Sequence, residues 1–365
     1  MKIIGTIVEY NPIHNGHIYA IEEIKKQSQA DFVIAVMSGN FTMRGELSIF
    51  DKFTKTNYAL QAGLDLIIEL PTILAVQNSD LFAKHAVQFL NLAGVSEIWI
   101  GSESNDPTIY EKAYQLWNQE NTQKIIKEKL NEGMSYKMAT AEVINLPSND
   151  LLGYSYYKAI KDLSLNIALK TIKRQGSGYT DLKPHLYASS MAIRSDLSLM
   201  DEYCPSFLDK SLIRAENQLF DYLKYNILTK SSNELKNIFL VEEGVENSLL
   251  KIQSTSSLNE FKNLLTSKRY TKSRISRMLV YVLLNITKDE VSDVLNSPLN
   301  YIRVLGYNDK GLNYLKQIKK NIQIYTNLKE GLYPILDLEM KTSKLLDAIY
   351  KSNLLSLEQS KPTKR

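Results

Sequence analysis

Two histidines three residues apart, His14 and His17, flank a glycine in residues 7–17, IVEYNPIHNGH, and they are two of only four histidines in the chain. The apolar run before them stops at Tyr10-Asn11-Pro12, where proline forbids continuation of a central strand, and a helix-like pattern follows. A strand, a turn and a helix start make a ready anion site, because the first N–H groups of a helix lack intrahelical partners and the positive end of its dipole lies among them. Gly16 lacks a Cβ, so a phosphate or an adenine can approach the backbone there. Imidazoles at i and i+3 occupy neighbouring positions of one helical turn, and can donate hydrogen bonds to a nucleotide's phosphates as charge builds on a departing pyrophosphate. Two other uses of the pair stay open. It can be a metal pair, although no nearby cysteine or paired carboxylate completes a shell, or an incidental surface feature.

The elements that must position this turn follow from hydrophobic periodicity. Apolar runs at 3–8, 32–37 (FVIAVM), 64–70 (LDLIIEL), 97–100 (EIWI) and 167–171 read as strands, with proline or glycine stopping several of them. Helical patterns at 17–29, 53–62, 81–92 and 151–163 separate them. Strand and helix alternating at this pitch imply βαβ units and a parallel sheet, with ligands outside the carboxyl ends of the strands. Beyond about residue 195 helical patterns dominate, at 211–223, 244–252, 258–266, 272–284 and 310–318. The expected class is therefore α/β, with a Rossmann-like domain over 1–200 and a mostly helical domain over 201–365.

Composition narrows the function classes. The 365 residues are 44% apolar and 23% charged, ordinary values for a globular chain with a sizeable core. No apolar run approaches the roughly 18 residues needed to span a bilayer, and the N-terminus lacks the features of a signal peptide, so a cytosolic location is expected. Cys204 is the single cysteine, which rules out an intramolecular disulfide and a multi-cysteine zinc site. The net charge of +4 is too mild to argue nucleic-acid binding alone. Its distribution says more: residues 267–277, SKRYTKSRISR, carry Lys268, Arg269, Lys272, Arg274 and Arg277 with no acid and one aromatic, Tyr270.

H-x-G-H after a first strand is the mark of the nucleotidyltransferase superfamily that shares its fold with class I aminoacyl-tRNA synthetases. The longer context resembles the bacterial tRNA(Met) cytidine acetate ligase family. GTIVEYNPIHNGHIYAI is followed in order by MSGNFTMRGE (37–46), DLIIELP (65–71), GSES (101–104), PSNDLLGYSYYKAI (147–160), IKRQGSGY (172–179), SKRYTKSRISR and YIRVLGYNDKG (301–311). The resemblance runs over both halves of the chain. It implies a two-step ligase using ATP, with Mg²⁺ bridging phosphates, and free acetate. Acetyl-adenylate forms first, and its acetyl group then passes to the wobble cytidine of elongator tRNA(Met), giving N(4)-acetylcytidine.

The same resemblance assigns His14, His17 and Arg194 as catalytic. It draws the ATP cradle through Ile7, Val8, Glu9, Tyr10, Asn11, Pro12, His14, Asn15, Gly16 and His17. Gly101 is expected at the base or ribose, or is a plain turn glycine; Asn149 reads the adenine or merely caps the helix after it. Arg174, with Gly176 and Gly178 behind it, suits a phosphate or adenine contact, and Gln175 contributes through its backbone. Ser189, Ser190 and Arg194 match the superfamily's S-S-T-x-x-R, which grips β- and γ-phosphates, but Met191 stands where threonine is usual and that hydroxyl is missing. Asn40 and Arg44 meet acetate or the tRNA end, or belong to an ordinary surface loop. Lys52 and Lys55 face phosphates or are solvated.

For RNA, Arg269, Lys272 and Lys268 are expected to line one helical face, with Tyr270 as a stacking plane and Arg274 and Arg277 beside them, unless the segment is a solvated charged helix. Arg303 is a second RNA candidate or a core arginine. His85 and Cys204 read as packing residues, and His185 has no assigned role. Two rivals remain at this stage: an adenylyltransferase acting on a pantetheine or nicotinamide phosphate, and a non-catalytic RNA-binding protein with a vestigial pocket.

Overall fold

The five apolar runs become β1 (Ile3–Val8), β2 (Phe32–Ser38), β3 (Leu66–Leu70), β4 (Glu97–Ser102) and β5 (Ala168–Lys173), in the computed structural model of residues 2–134, 136–175, 187–242 and 244–365. All pair in parallel in the order β5-β4-β1-β2-β3. Every residue of β2 is buried, as expected of a central strand covered on both faces. Its alternate side chains divide between two cores: Phe32, Ile34 and Val36 face one, and Val33, Ala35 and Met37 the other. Helices therefore cover both sides of the sheet. Succession from β1 through β2 to β3 runs in one direction, whereas β4 and β5 lie on the other side of β1. Strand order reverses between β1 and β4, and the crevice above that reversal is where an open parallel sheet takes its ligand.

The second half of the chain is mostly helical, and it also adds three strands to the sheet. β6 (Tyr301–Tyr307) pairs antiparallel with β3 and extends the sheet. β7 (Gln323–Tyr325) and β8 (Thr363–Lys364) then pair with opposite halves of β6. The helical patterns at 258–266 and 272–284 appear as helices Leu258–Leu265 and Lys272–Leu284. The single helix expected at 211–223 is instead two 3-10 turns, Lys210–Leu212 and Glu216–Gln218, leading into helix Leu219–Leu228. One of the two cores continues from the sheet into these helices without a break, through Leu223, Phe261 and Leu279 among others.

Where the C-terminal helices meet the sheet lies a buried charge cluster that corrects two expectations. Lys52, at the start of helix Lys52–Gln61, is neither solvated nor turned toward a phosphate. Its Nζ meets Glu69 of β3 at 2.5 Å, Glu339 at 3.2 Å, and Glu358. Arg303 of β6 is likewise no RNA contact: it is 1% exposed and pairs with Glu358 at 3.2 Å. Desolvation drives the Glu69 carboxyl up to about 8, while the three carboxylates around Lys52 overcome its own desolvation and raise its pKa. Breaking a buried pair leaves uncompensated charge, so Lys52→Met should cost about 3–5 kcal/mol in equilibrium urea unfolding. A solvated lysine would change stability by no more than about 0.5 kcal/mol.

Candidate active site

β1 ends directly beneath the histidine turn. His14 is the N-cap residue of helix Asn15–Ser28, in extended conformation, and its backbone N–H donates to His17 Nδ1 at 3.2 Å. That bond fixes the His17 tautomer, with its proton on Nε2. The two imidazoles stack with centroids 3.7 Å apart, and Tyr10 meets His17 edge-on at 5.0 Å. Burial lowers the His14 pKa to about 3, helped by the nearby Arg174 cation. Burial, His14 and Arg174 together hold His17 well below its ordinary value. Both rings are therefore neutral at physiological pH and act as hydrogen-bonding dipoles rather than as cations.

Two observations favour a ligand here. His14 Nδ1 is buried and has no hydrogen-bond partner among the described residues. A Cβ added to Gly16 would lie 3.0 Å from the His14 ring, so only glycine leaves the ring this position and the adjoining backbone open.

Across the crevice, Gly101 lies within β4 rather than after it, opposite Ile172 of β5. A Cβ there would stand 3.1 Å from Arg174 Cγ, so Gly101 makes room for that side chain. The Arg174 backbone N–H donates to Ser102 O at 2.9 Å. Asn149 is no N-cap, since helix Ser148–Asp162 starts one residue earlier with Pro147 before it; its Nδ2 donates to Glu103 at 2.6 Å. Asp150 beside it, a position the sequence reading passed over, is buried and accepts from Ser102 Oγ, the Ser104 N–H and Tyr110 OH. Gln175 is engaged through its side chain, donating to Tyr19 OH at 2.9 Å. Gly176, Gly178 and His185 lie outside the described residues.

Ser189 caps helix Ser190–Ser195 through the Ala192 N–H, and Ser190 Oγ donates to Pro12 O at 3.1 Å. Arg194 differs from its expected role. Its guanidinium donates to Asn11 O at 2.6 Å and to Ser190 O, and pairs with Glu46 at 2.8 Å. It stitches the histidine turn to its neighbours instead of presenting a free fork to β- and γ-phosphates.

The loop after β2 closes the other side. Asn40 is fully buried, so it is no surface-loop residue; its Oδ1 accepts from the Lys52 N–H at 3.3 Å and from Arg214 Nη1 at 3.1 Å, while its Nδ2 has no hydrogen-bond partner among the described residues. Arg214 also donates to Ser48 O and Phe50 O and was invisible in the sequence, because nothing local marks an arginine in an irregular stretch as the clamp of a distant loop. Arg44 is half-buried in the same loop. Lys55 is buried below the crevice, donating to Glu9 O, Ser38 O and Ser48 Oγ, so it neither faces a phosphate nor meets solvent. Burial lowers its pKa to about 7.

The basic segment is only partly a helical face. Helix Lys272–Leu284 starts after the cap Thr271, so Lys268 and Arg269 occupy the preceding turn, exposed like Lys272. Arg274 pairs with Glu242 at 3.0 Å and covers the Tyr270 ring at 4.8 Å, and Arg277 is half-buried. The loop after β2 touches this helix directly. Gly45, at φ +74°, lies so close that a Cβ would stand 2.4 Å from the Arg277 backbone nitrogen. His85 and Cys204 are buried packing residues, and burial pushes the Cys204 thiol up to about 12.

A parallel sheet whose first strand feeds an H-x-G-H turn at the strand-order reversal is the architecture of a nucleotidyl transferase, and the family model described as HIGH Nucleotidyl Transferase matches residues 1–361. Within that class the chain belongs to the tRNA(Met) cytidine acetate ligase family. It is 37% identical over 368 residues to the tRNA(Met) cytidine acetate ligase of Staphylococcus aureus (strain JH9), covering 96% of each chain. It superposes on apo Thermotoga maritima TmcAL with a TM-score of 0.89 at 28% identity, covering 100% of this chain and 99% of that one. The same enzyme bound with alpha-thio ATP gives 0.85 at 28% identity, covering 99% and 97%.

The depressed histidine values predict an NMR signature. Imidazole nitrogen shifts of His14 and His17 should stay those of neutral rings from about pH 8 to about pH 5, where an unperturbed histidine with pKa near 6.5 takes up its proton. Since the folded values lie below 6.5, the unfolded chain binds protons first as pH falls. The pair thus withdraws stability below about pH 6.5 and none above it.

Proposed function

We propose that this protein is an ATP-dependent ligase that activates acetate as acetyl-adenylate and acetylates N4 of the wobble cytidine of elongator tRNA(Met). The observation that carries this reading is the pair of uncharged, stacked imidazoles at the strand-order reversal, in a chain whose relatives are named for that substrate. In the first step an acetate oxygen attacks the α-phosphorus in line and pyrophosphate leaves. The protein's task is to position ATP and offset developing charge. His17 Nε2–H is a preorganised donor for that charge, and Arg174, most of its surface enclosed, adds a cation beside it. Gly16 lets the nucleotide approach the backbone, and Gly101 keeps space for Arg174. In this reading Mg²⁺ comes with the phosphates of ATP. Asn40 Nδ2 and Arg44 are the donors best placed for acetate, on the side of the crevice away from Arg174.

The RNA surface falls to Lys268, Arg269 and Lys272, the exposed members of the basic segment, whereas Arg274 and Arg277 support them. Among the described residues no helix is long and apolar enough to cross a membrane.

Two measurements test this reading. Incubated with ATP, Mg²⁺ and acetate, the protein should exchange pyrophosphate into ATP in an acetate-dependent way and leave N(4)-acetylcytidine in tRNA(Met) by nucleoside mass analysis. Exchange only with a phosphorylated pantetheine or nucleotide would overturn it. Replacing Lys268, Arg269 and Lys272 together by alanine should weaken tRNA binding and reduce the slope of log K against log salt by about 2, given about 0.7–0.9 per phosphate contact.

A further inference from the structure

The transfer step needs a group that the acetate and ATP contacts do not supply. The exocyclic nitrogen of cytosine is a weak nucleophile, because its lone pair is delocalised into the ring, and once it attacks a carbonyl it carries a proton that must leave. A base has to stand beside the acyl carbon.

The carboxylates at the rim of the crevice differ in what occupies them. Both oxygens of Asp150 accept hydrogen bonds. Glu103 accepts from Asn149. Glu46 is ion-paired with Arg194 at 2.8 Å. Glu9 is different. It directly follows β1, between the β4 side, where the nucleotide belongs, and the loop after β2. Its Oε1 is held by the Met43 N–H of that loop at 2.7 Å. Among the described residues its Oε1 alone is engaged in a hydrogen bond, and the residue is only half-buried, which leaves Oε2 for an incoming group. A carboxylate is an unsuitable contact for a triphosphate, which argues against a place for Glu9 in the ATP cradle, and it is well suited to an incoming amine.

We infer that Glu9 is the general base of the acetyl-transfer step, accepting on Oε2 the proton released by cytidine N4. The proposal rests on the ligase function proposed above. The N4–carbon bond forms, the carbon–oxygen bond to the phosphate breaks, AMP leaves with that electron pair, and the N4 proton passes to Glu9. Desolvation is the main cause raising the Glu9 pKa, and Glu46 adds to it, against the Met43 N–H, Lys55 and Arg44. Tyr156, buried on helix Ser148–Asp162, also lies within electrostatic reach of it. A carboxyl with a raised pKa is a stronger base than an ordinary one.

Glu9→Gln tests this, because the amide oxygen can keep the Met43 bond while basicity is lost. Acetate-dependent pyrophosphate exchange and single-turnover transfer to tRNA(Met) are measured on the same samples. The ratio of transfer to exchange should fall about 100-fold, the lower end of what a general base contributes. The wild-type transfer rate should rise with pH through the Glu9 carboxyl, above the usual carboxylate range, and the variant's should not. An unchanged ratio with an unchanged pH profile overturns the assignment, as does an equal loss of both half-reactions, which would place Glu9 in the nucleotide site or the scaffold. A wild-type protein with no acetate-dependent exchange fails the ligase function itself, an outcome seen without any variant.

Discussion

The histidine turn runs through the protein rather than over it. Tyr10, Asn11, Ile13 and His14 are all buried, and a buried loop must find partners for its polar groups. Most of the site architecture answers that demand. The Asn11 side chain accepts from the Ile49 N–H and donates to Leu47 O, tying the turn to the loop after β2. Arg194 takes the Asn11 carbonyl, and Ser190 the Pro12 carbonyl. Lys55 takes the Glu9 carbonyl from below. Residues that sequence motifs would assign to phosphates are thus spent on holding the turn. Buried polar atoms that this network leaves without a hydrogen bond among the described residues include His14 Nδ1 and Asn40 Nδ2.

Enclosure also sets the chemistry of those groups. In water an imidazole near neutral pH is partly cationic; here burial and a neighbouring guanidinium keep both rings neutral. Neutral donors stabilise charge that develops during a reaction without trapping the anionic ground state as strongly as cations would. The immobilising network and the neutrality of the histidines are therefore two aspects of one constraint.

The strands of the first half were legible because each is a nearly continuous apolar run, the pattern of a sheet covered on both faces, and the H-x-G-H turn was legible because its chemistry is local. Other features depended on partners far along the chain. YIRVLGY did not read as a strand of the same sheet, since Arg303 interrupts its apolar pattern and is neutralised by Glu358, 55 residues away. Lys52 read as a phosphate-facing or solvated lysine because its carboxylates arrive from β3 and from two C-terminal helices. Asn40 gave no sign that Arg214 would hold it. That β6 joins the sheet of the first half was hidden for the same reason: its pairing with β3 is antiparallel and non-local, and nothing near either strand announces it.

Gly45 rests against the main chain of helix Lys272–Leu284 with no side chain between them. Five residues back along the same loop, Asn40 is buried against the Lys52 main chain and the Arg214 guanidinium. Any side chain at position 45 would have to drive loop and helix apart, so main chain alone sets the spacing between the C-terminal helix and the loop beside the histidine turn.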